Sequence, residues 1–343
     1  MENKRLPNKI LKKGGKTMFK KFTIALVICA MTVLLVPALP AAAAPSGNVT
    51  GKFGINAAPT VSVSLSETAL TPQTSYTVTV NVADADTLED IDELVLKLWY
   101  DSDGGTPLEG DFNSAGADAQ NCAVVTWNPT DDATLAPAGT SWELTSYSAP
   151  TLTGTLGNFT FTIKIGKVAT ATSGSAKWQI AAVATDTANQ KGLGYDSDSA
   201  SMSWYGEIEV PSDAEVDWGT LAAGTQFNVG KSEAPLGKDI TYISNGTYKK
   251  NVKSSATWEG TATANLNEGG TTTAAQSFAL KAATTDTYST AEIVKTTDVV
   301  IDSNGTQTTE IGADVTTMTL WIQLANSFTV ATYSGTITYS ISN

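Results

Sequence analysis

Tyr76-Thr77-Val78-Thr79-Val80-Asn81-Val82 is the stretch whose reading decides the fold. An apolar or aromatic side chain stands at every second position, with Thr or Asn between. Successive side chains of a strand point to opposite faces, so the run predicts a strand with one face in a core and one in water. The same period two runs through Val61-Ser62-Val63-Ser64-Leu65, Leu94-Val95-Leu96-Lys97-Leu98-Trp99 and Phe159-Thr160-Phe161-Thr162-Ile163-Lys164-Ile165. Turn clusters at Thr71-Pro72-Gln73, Asp101 to Gly105 and Asn128-Pro129-Thr130-Asp131 separate the runs. Short strands with frequent turns and no sustained 3.6 period predict an all-β chain of two antiparallel β-sandwich domains. The expected bounds are 60–208 for the first and 215–343 for the second, with a hinge at 209–214 built on Val210-Pro211-Ser212.

Residues 1–43 read as a cleaved secretory signal. Met18-Phe19-Lys20-Lys21 is followed by the apolar run Phe22 to Val36 and then by Ala41 to Ala44, with cleavage expected near Ala43 and Met18 an alternative start. The apolar run is shorter than the roughly 20 residues of a membrane span, so the mature chain is expected to carry none. Residues 44–59 are rich in Gly, Asn, Ala and Pro and read as a linker.

Composition excludes several chemistries. The chain has 343 residues and no His, so neither a Ser-His-Asp triad nor a His-ligated metal is available. Removing residues 1–43 leaves 13 Lys, no Arg and 33 acids over 300 residues. That balance argues against nucleic acid, whose backbone is gripped by Lys and Arg. Cys122 is then the only thiol, so stability must come from packed cores.

The acids fall in clusters. Asp84, Asp86 and Asp90 form one, Asp101, Asp103 and Asp111 a second, and Asp186, Asp196 and Asp198 a third. Hard cations take six to eight oxygen ligands, and Asp/Gly loops supply them. The first two clusters are candidate calcium ligands, and calcium is the one candidate cofactor. If successive strands simply alternate direction, the loops at 84–92 and 206–213 share one end, and Asp84, Asp86 and Asp90 approach Glu207, Glu209 and Asp213. The eight Trp are expected to fill the cores. In the adjacent pairs Trp99-Tyr100 and Trp204-Tyr205 one member of each faces outward, which makes Tyr100 and Tyr205 candidates for a sugar or partner surface. Asn48, Asn158, Asn245 and Asn304 each begin an Asn-x-Thr glycan-acceptor pattern.

Asn56-Ala57-Ala58-Pro59-Thr60-Val61, followed by residues 75–80 and Ala83-Asp84-Ala85-Asp86, resembles the opening of immunoglobulin-like modules of prokaryotic secreted and cell-surface proteins. Ala182-Val183-Ala184-Thr185-Asp186-Thr187-Ala188 is similar to their penultimate strand. The polycystic-kidney-type signature Trp-x-Phe-Gly-Asp-Gly is absent. The resemblance spans about 56–205 and implies envelope architecture or adhesion, with no chemistry. The reading is a secreted or surface-exposed, non-catalytic structural or adhesive envelope protein, such as a surface-layer, matrix or filament component. Its expected partners are other envelope proteins or further copies, joined by edge strands drawn from the linker at 45–59 or the terminal strand 334–342. A carbohydrate-binding module on polysaccharide is the first alternative. A carboxylate-dependent glycoside hydrolase is the second, although no pair among the acids is singled out.

Overall fold

In the computed structural model, which describes residues 52, 55–212, 214–227, 236–272, 274–310 and 314–343, each of the four period-two runs falls on a strand. The signal reading at 1–43, most of the linker, and Asp213 lie outside the described residues. The chain is all-β. The first sandwich contains β1 (Thr60–Leu65), β2 (Ala69–Leu70), β3 (Ser75–Ala83), β4 (Ile91–Asp101), β5 (Cys122–Trp127), β6 (Thr134–Ala136), β7 (Glu143–Ser148), β8 (Leu156–Lys164), β9 (Lys177–Asp186), β10 (Lys191–Tyr195) and β11 (Ser201–Met202). One sheet has the order β1-β3-β8-β7 and the facing sheet β10-β9-β4-β5-β6. A short helix, α1 (Glu109–Ser114), lies in the β4–β5 connection.

The alternation dictates this core. On β3, Tyr76, Val78, Val80 and Val82 are buried while Thr77, Thr79 and Asn81 are not. They meet Leu94, Leu96 and Leu98 of β4 and Phe159, Phe161 and Ile163 of β8. Each fully buried Val, Leu or Phe contributes roughly 1.5–3 kcal/mol of transfer free energy. Six of the eight Trp are buried, which consumes them as packing: Trp127 meets Phe159 edge-on at 4.7 Å, and Trp142 tilts against Trp178 at 5.8 Å.

One seam closes the first sandwich along its side. β1 and β10 belong to different sheets, yet their backbones run against each other, because Gly192 and Gly194 leave room on β10. A Cβ at Gly192 would sit 2.0 Å from the Pro59 carbonyl oxygen, and one at Gly194 2.2 Å from that of Val61. Both obstacles are backbone, so neither can swing aside. At one end of the seam the Leu65 N–H donates to Asp196 Oδ2 (2.7 Å).

The second sandwich contains β12 (Gly206–Glu209), β13 (Leu236–Ser244), β14 (Tyr248–Ser254), β15 (Thr257–Glu259), β16 (Thr263–Leu266), β17 (Ser277–Ala283), β18 (Glu292–Ile293), β19 (Val299–Gly305), β20 (Asp314–Leu324) and β21 (Ile337–Ser342). Its large sheet has the order β12-β13-β20-β17-β16-β15, with β18 on β17, and its small sheet is β19-β14-β21. Between them lie Val252, Trp258, Phe278, Leu280 and Leu320.

Three features depart from the sequence reading. Residues 206–209 pair with β13, so the second sandwich begins at Gly206, and 209–214 is not the connection between the two. The terminal strand is built into a sheet of its own chain, where β21 pairs with β14 from Lys249↔Ser342 to Ser254↔Ile337 and forms the edge of the small sheet. The loops at 84–92 and 206–213 also do not share one end. β11 pairs in parallel with β2, so the chain does not reverse between β10 and β11. It therefore leaves the first sandwich at the end opposite the 84–90 loop, about 27 Å away at 3.4 Å per residue along β3. Among the described residues no helix is long and apolar enough to cross a membrane.

Gly194→Ala is expected to lower stability by about 1–3 kcal/mol through overpacking at the seam. Chemical denaturation of the wild-type and variant chains checks this, and Gly116→Ala, where an added Cβ meets nothing within 4 Å, serves as the neutral comparison.

Candidate functional site

Three places gather the polar side chains that a function could use. The first is the far end of the first sandwich. The β3–β4 turn supplies Asp84 and Asp90, and the end of β9 supplies Asp186. One carboxylate oxygen from each lies within 4.8 Å of the others. Asp84 and Asp186 are only 2% and 1% exposed. Asp84 Oδ1 accepts from the Asp86 N–H (2.9 Å), and Asp186 Oδ1 accepts from the Gln190 N–H (2.8 Å). Asp84 Oδ2 and Asp90 Oδ1 are shut off from solvent and accept no hydrogen bond. Burial first, and then the charges of Asp84, Asp186 and Asp86, hold the Asp90 carboxyl above the usual carboxylate range. The chain passes over this cluster as it enters the sandwich. The Asn56 amide lies 2.6 Å from Asp186 Oδ2, and the Ala57 N–H donates to the exposed Asp86 (2.9 Å). The structure thus joins Asp84 and Asp90 to Asp186, which the sequence places in a separate cluster. Asp86 stands beside them, and Glu207 and Glu209 are at the opposite end.

The second place is the outer face of β4 and β5. Tyr100, Asp101 and Asp111 line an open depression of about 290 Å³ together with Trp99, Asn121 and Cys122. The acids here do not converge as ligands. Asp101 Oδ1, Asp103 Oδ1 and Asp111 Oδ2 accept the backbone N–H groups of Asp103, Gly105 and Leu108. Of the Trp99-Tyr100 pair, the outward member is Trp99, and Phe112 of α1 covers it edge-on at 6.3 Å. Tyr100 turns to the core against Trp178. The α1 carbonyls of Phe112 and Ala115 are bound by Lys97 Nζ (2.8 and 2.7 Å), so the one outward Lys of β4 fastens the helix to the sheet. Burial pushes the Cys122 thiol up to about 11, which keeps it protonated and unreactive at neutral pH.

The third place is the joint between the sandwiches. Asn245 sits in the β13–β14 turn and is fully buried. Its Nδ2 donates to the carbonyls of Ala169 (2.8 Å) and Ser203 (2.9 Å), and its Oδ1 accepts from the Tyr205 N–H (2.7 Å). Its own backbone pairs with Tyr205 O and Ala171 N. Around it, Gln307 Nε2 donates to Val168 O (2.8 Å), Gln120 Nε2 donates to Thr308 O (2.9 Å), and Lys167 pairs with Glu207 at 2.9 Å. Tyr205 is part of this joint and donates its hydroxyl to Glu207 (2.6 Å), so it is not a free platform. Burial, followed by the Glu207 hydrogen bond and charge, drives its hydroxyl pKa strongly upward. The glycan-acceptor pattern at Asn245 is therefore closed in the folded chain. Residues 56–343 form one compact unit.

Within the second sandwich, Lys250 is buried beside Tyr242 and Tyr248. Its Nζ donates to Thr316 Oγ1 (2.6 Å) and pairs with Asp314 (2.9 Å) and Asp302 (3.4 Å). Tyr248 donates its hydroxyl to the same Asp314. Burial alone would raise the Asp314 carboxyl. The hydrogen bonds from Tyr248, Lys250 and Thr316, with the Lys250 charge, outweigh it and hold the group below its usual 3.8. The sequence signal was present: Tyr248, Lys250, Val252 and Ser254 share one strand face, so the alternation itself puts Lys250 inside.

No family model and no curated protein matches the chain. Among solved structures it is similar to the sporulation control protein Spo0M from Bacillus subtilis, at 13% identity and a TM-score of 0.25. That alignment covers 43% of this chain and half of Spo0M, and a likeness this low carries no argument about fold or role.

Asn245→Ala leaves two carbonyls and one N–H buried without partners, at about 1–3 kcal/mol each. Calorimetry is expected to show a loss of about 3 kcal/mol or more and the separation of one unfolding transition into two. A second expectation follows from Asp314. Because its folded pKa is depressed, its contribution is complete above the unfolded value and is lost as pH falls through the folded one. Asp314→Asn should lower the melting temperature at pH 7, and the gap from wild type should close as the pH is lowered into the acid limit.

Proposed function

We propose that this chain is an exported, non-catalytic structural or adhesive component of the cell envelope. The observation that supports the reading is the joint. Two sandwiches are locked into a single body by a buried side-chain network at Asn245, and such a body offers rigid surface and fixed spacing. Two further features agree with it. The aromatic side chains are largely taken up by the cores, and the mature composition is strongly acidic, which favours solubility and contacts bridged by cations. In this reading the immunoglobulin-like resemblance of residues 56–205 is that of a spacer or adhesive module. Its assembly partners are further copies or other envelope proteins. The strand β7, which ends its sheet and has the exposed pattern of Glu143–Ser148, is a surface for strand addition, and β21 ends the small sheet in the same way.

Protease treatment of intact cells producing a tagged full chain tests the proposal. Loss of the tagged chain from intact cells, and its retention inside when residues 1–43 are deleted, is the expected result. A full chain that stays protected inside the cell would remove the reading.

A further inference from the structure

The geometry points to a calcium site at the far end of the first sandwich, formed by Asp84, Asp90 and Asp186, which ties the leading segment at Asn56 to the sandwich. Five observations converge on it. Three carboxylates from two separate turns bring an oxygen each within 4.8 Å of one another. Oxygens on one calcium ion, bound at 2.3–2.6 Å, stand at most about 5 Å apart, so the three fit inside a single coordination sphere. Asp84 is only 2% exposed, and its Oδ2 has no hydrogen-bond partner. Asp90 Oδ1 is likewise sealed and unpartnered. Burying a carboxylate oxygen with no donor is costly, and setting two such groups beside the third carboxylate of Asp186 is more so.

The charges that act on Asp90 are all acidic: Asp84, Asp186 and Asp86. No Lys is among the residues hydrogen-bonded or ion-paired to the three ligands within the described chain. A hard divalent cation supplies what the protein side leaves out, since it takes carboxylate oxygens and neutralises the cluster at once. Asn56 completes the argument. Its amide reaches Asp186 Oδ2 at 2.6 Å, and a half turn about its last torsion exchanges the Nδ2 donor for the Oδ1 acceptor. In that orientation the leading segment offers a fourth oxygen ligand. The remaining positions are left to water, which predicts weak binding, with Kd of about 10⁻⁴–10⁻³ M.

The test uses the full chain stripped with chelator, with CaCl₂ as titrant in calorimetry and thermal unfolding followed with and without 10 mM CaCl₂. The expected wild-type result is saturable heat and a rise of a few degrees in melting temperature with calcium. Asp84→Asn should weaken binding at least tenfold and abolish the rise. The same variant should melt in chelator no lower than wild type, because it removes a crowded charge, and this separates a lost ligand from a lost fold. Asp103→Asn, at the other end of the sandwich, should bind calcium as wild type does. Asn56→Ala should weaken binding several-fold. Absence of heat and of any melting shift in wild type, or equal binding by Asp84→Asn, would overturn the site. Unchanged affinity in Asn56→Ala would overturn the tie to the leading segment. These are measurements on purified chain, so their failure is distinct from failure of the envelope reading.

Discussion

The buried amide of Asn245 is the constraint on which the rest of the molecule depends. Each sandwich has its own apolar core, and the two clusters share no residue. What joins them is polar: one side chain that donates twice and accepts once, flanked by the amides of Gln307 and Gln120 and by the Lys167–Glu207 pair. A polar joint of this kind is directional. Apolar patches slide with little change in energy, whereas two carbonyls and an N–H accept an amide in one orientation only. The joint therefore sets the angle between the sandwiches as well as the fact of their association. Trp204 reinforces it from the side by donating to Thr247 O, and Gly206 and Gly246 leave the space its ring needs.

Much of the fold was legible because period two needs no long-range information. Tyr76 to Val82 states which face is buried, and the strand forms as read. The fate of the aromatic residues was half legible. That Trp99 and Tyr100 point to opposite faces follows from strand geometry, but which face is the core does not. Phe112, which covers Trp99, comes from a helix of six residues that carries no periodic signal of its own. The domain boundary was misplaced because Pro211 and Ser212 look like a hinge, while Gly206-Glu207-Ile208-Glu209 is too short to announce a strand without its partner β13.

The acid cluster shows where sequence reading stops for a physical reason. Asp84 and Asp90 are near neighbours in the chain, but Asp186 is about a hundred positions away and arrives only because β9 pairs antiparallel with β4, setting Asp186 opposite Ile91. The expected encounter with Glu207 depended on counting reversals. A single parallel pairing between two-residue strands undid the count. Short strands are invisible to periodicity, and topology is most sensitive to them. Lys250 is the opposite case. Its inward position follows from the alternation around it, and its type hides it, since a Lys on a strand reads as solvent-facing until its partners Asp302 and Asp314 are in view.

The identity of residue 246 gives the joint a chemical memory. Asparagine followed by glycine is the pairing most prone to lose its amide, since glycine leaves the next backbone nitrogen unshielded, and asparagine is in general a thermally fragile residue. In the folded chain the Gly246 N–H is turned to Ser244 Oγ (3.3 Å), and both hydrogens of the Asn245 amide are held by carbonyls. A chain that ages before folding acquires a carboxylate at 245, which has nothing to donate to Ala169 and Ser203. A chain that folds first shields the bond by using it.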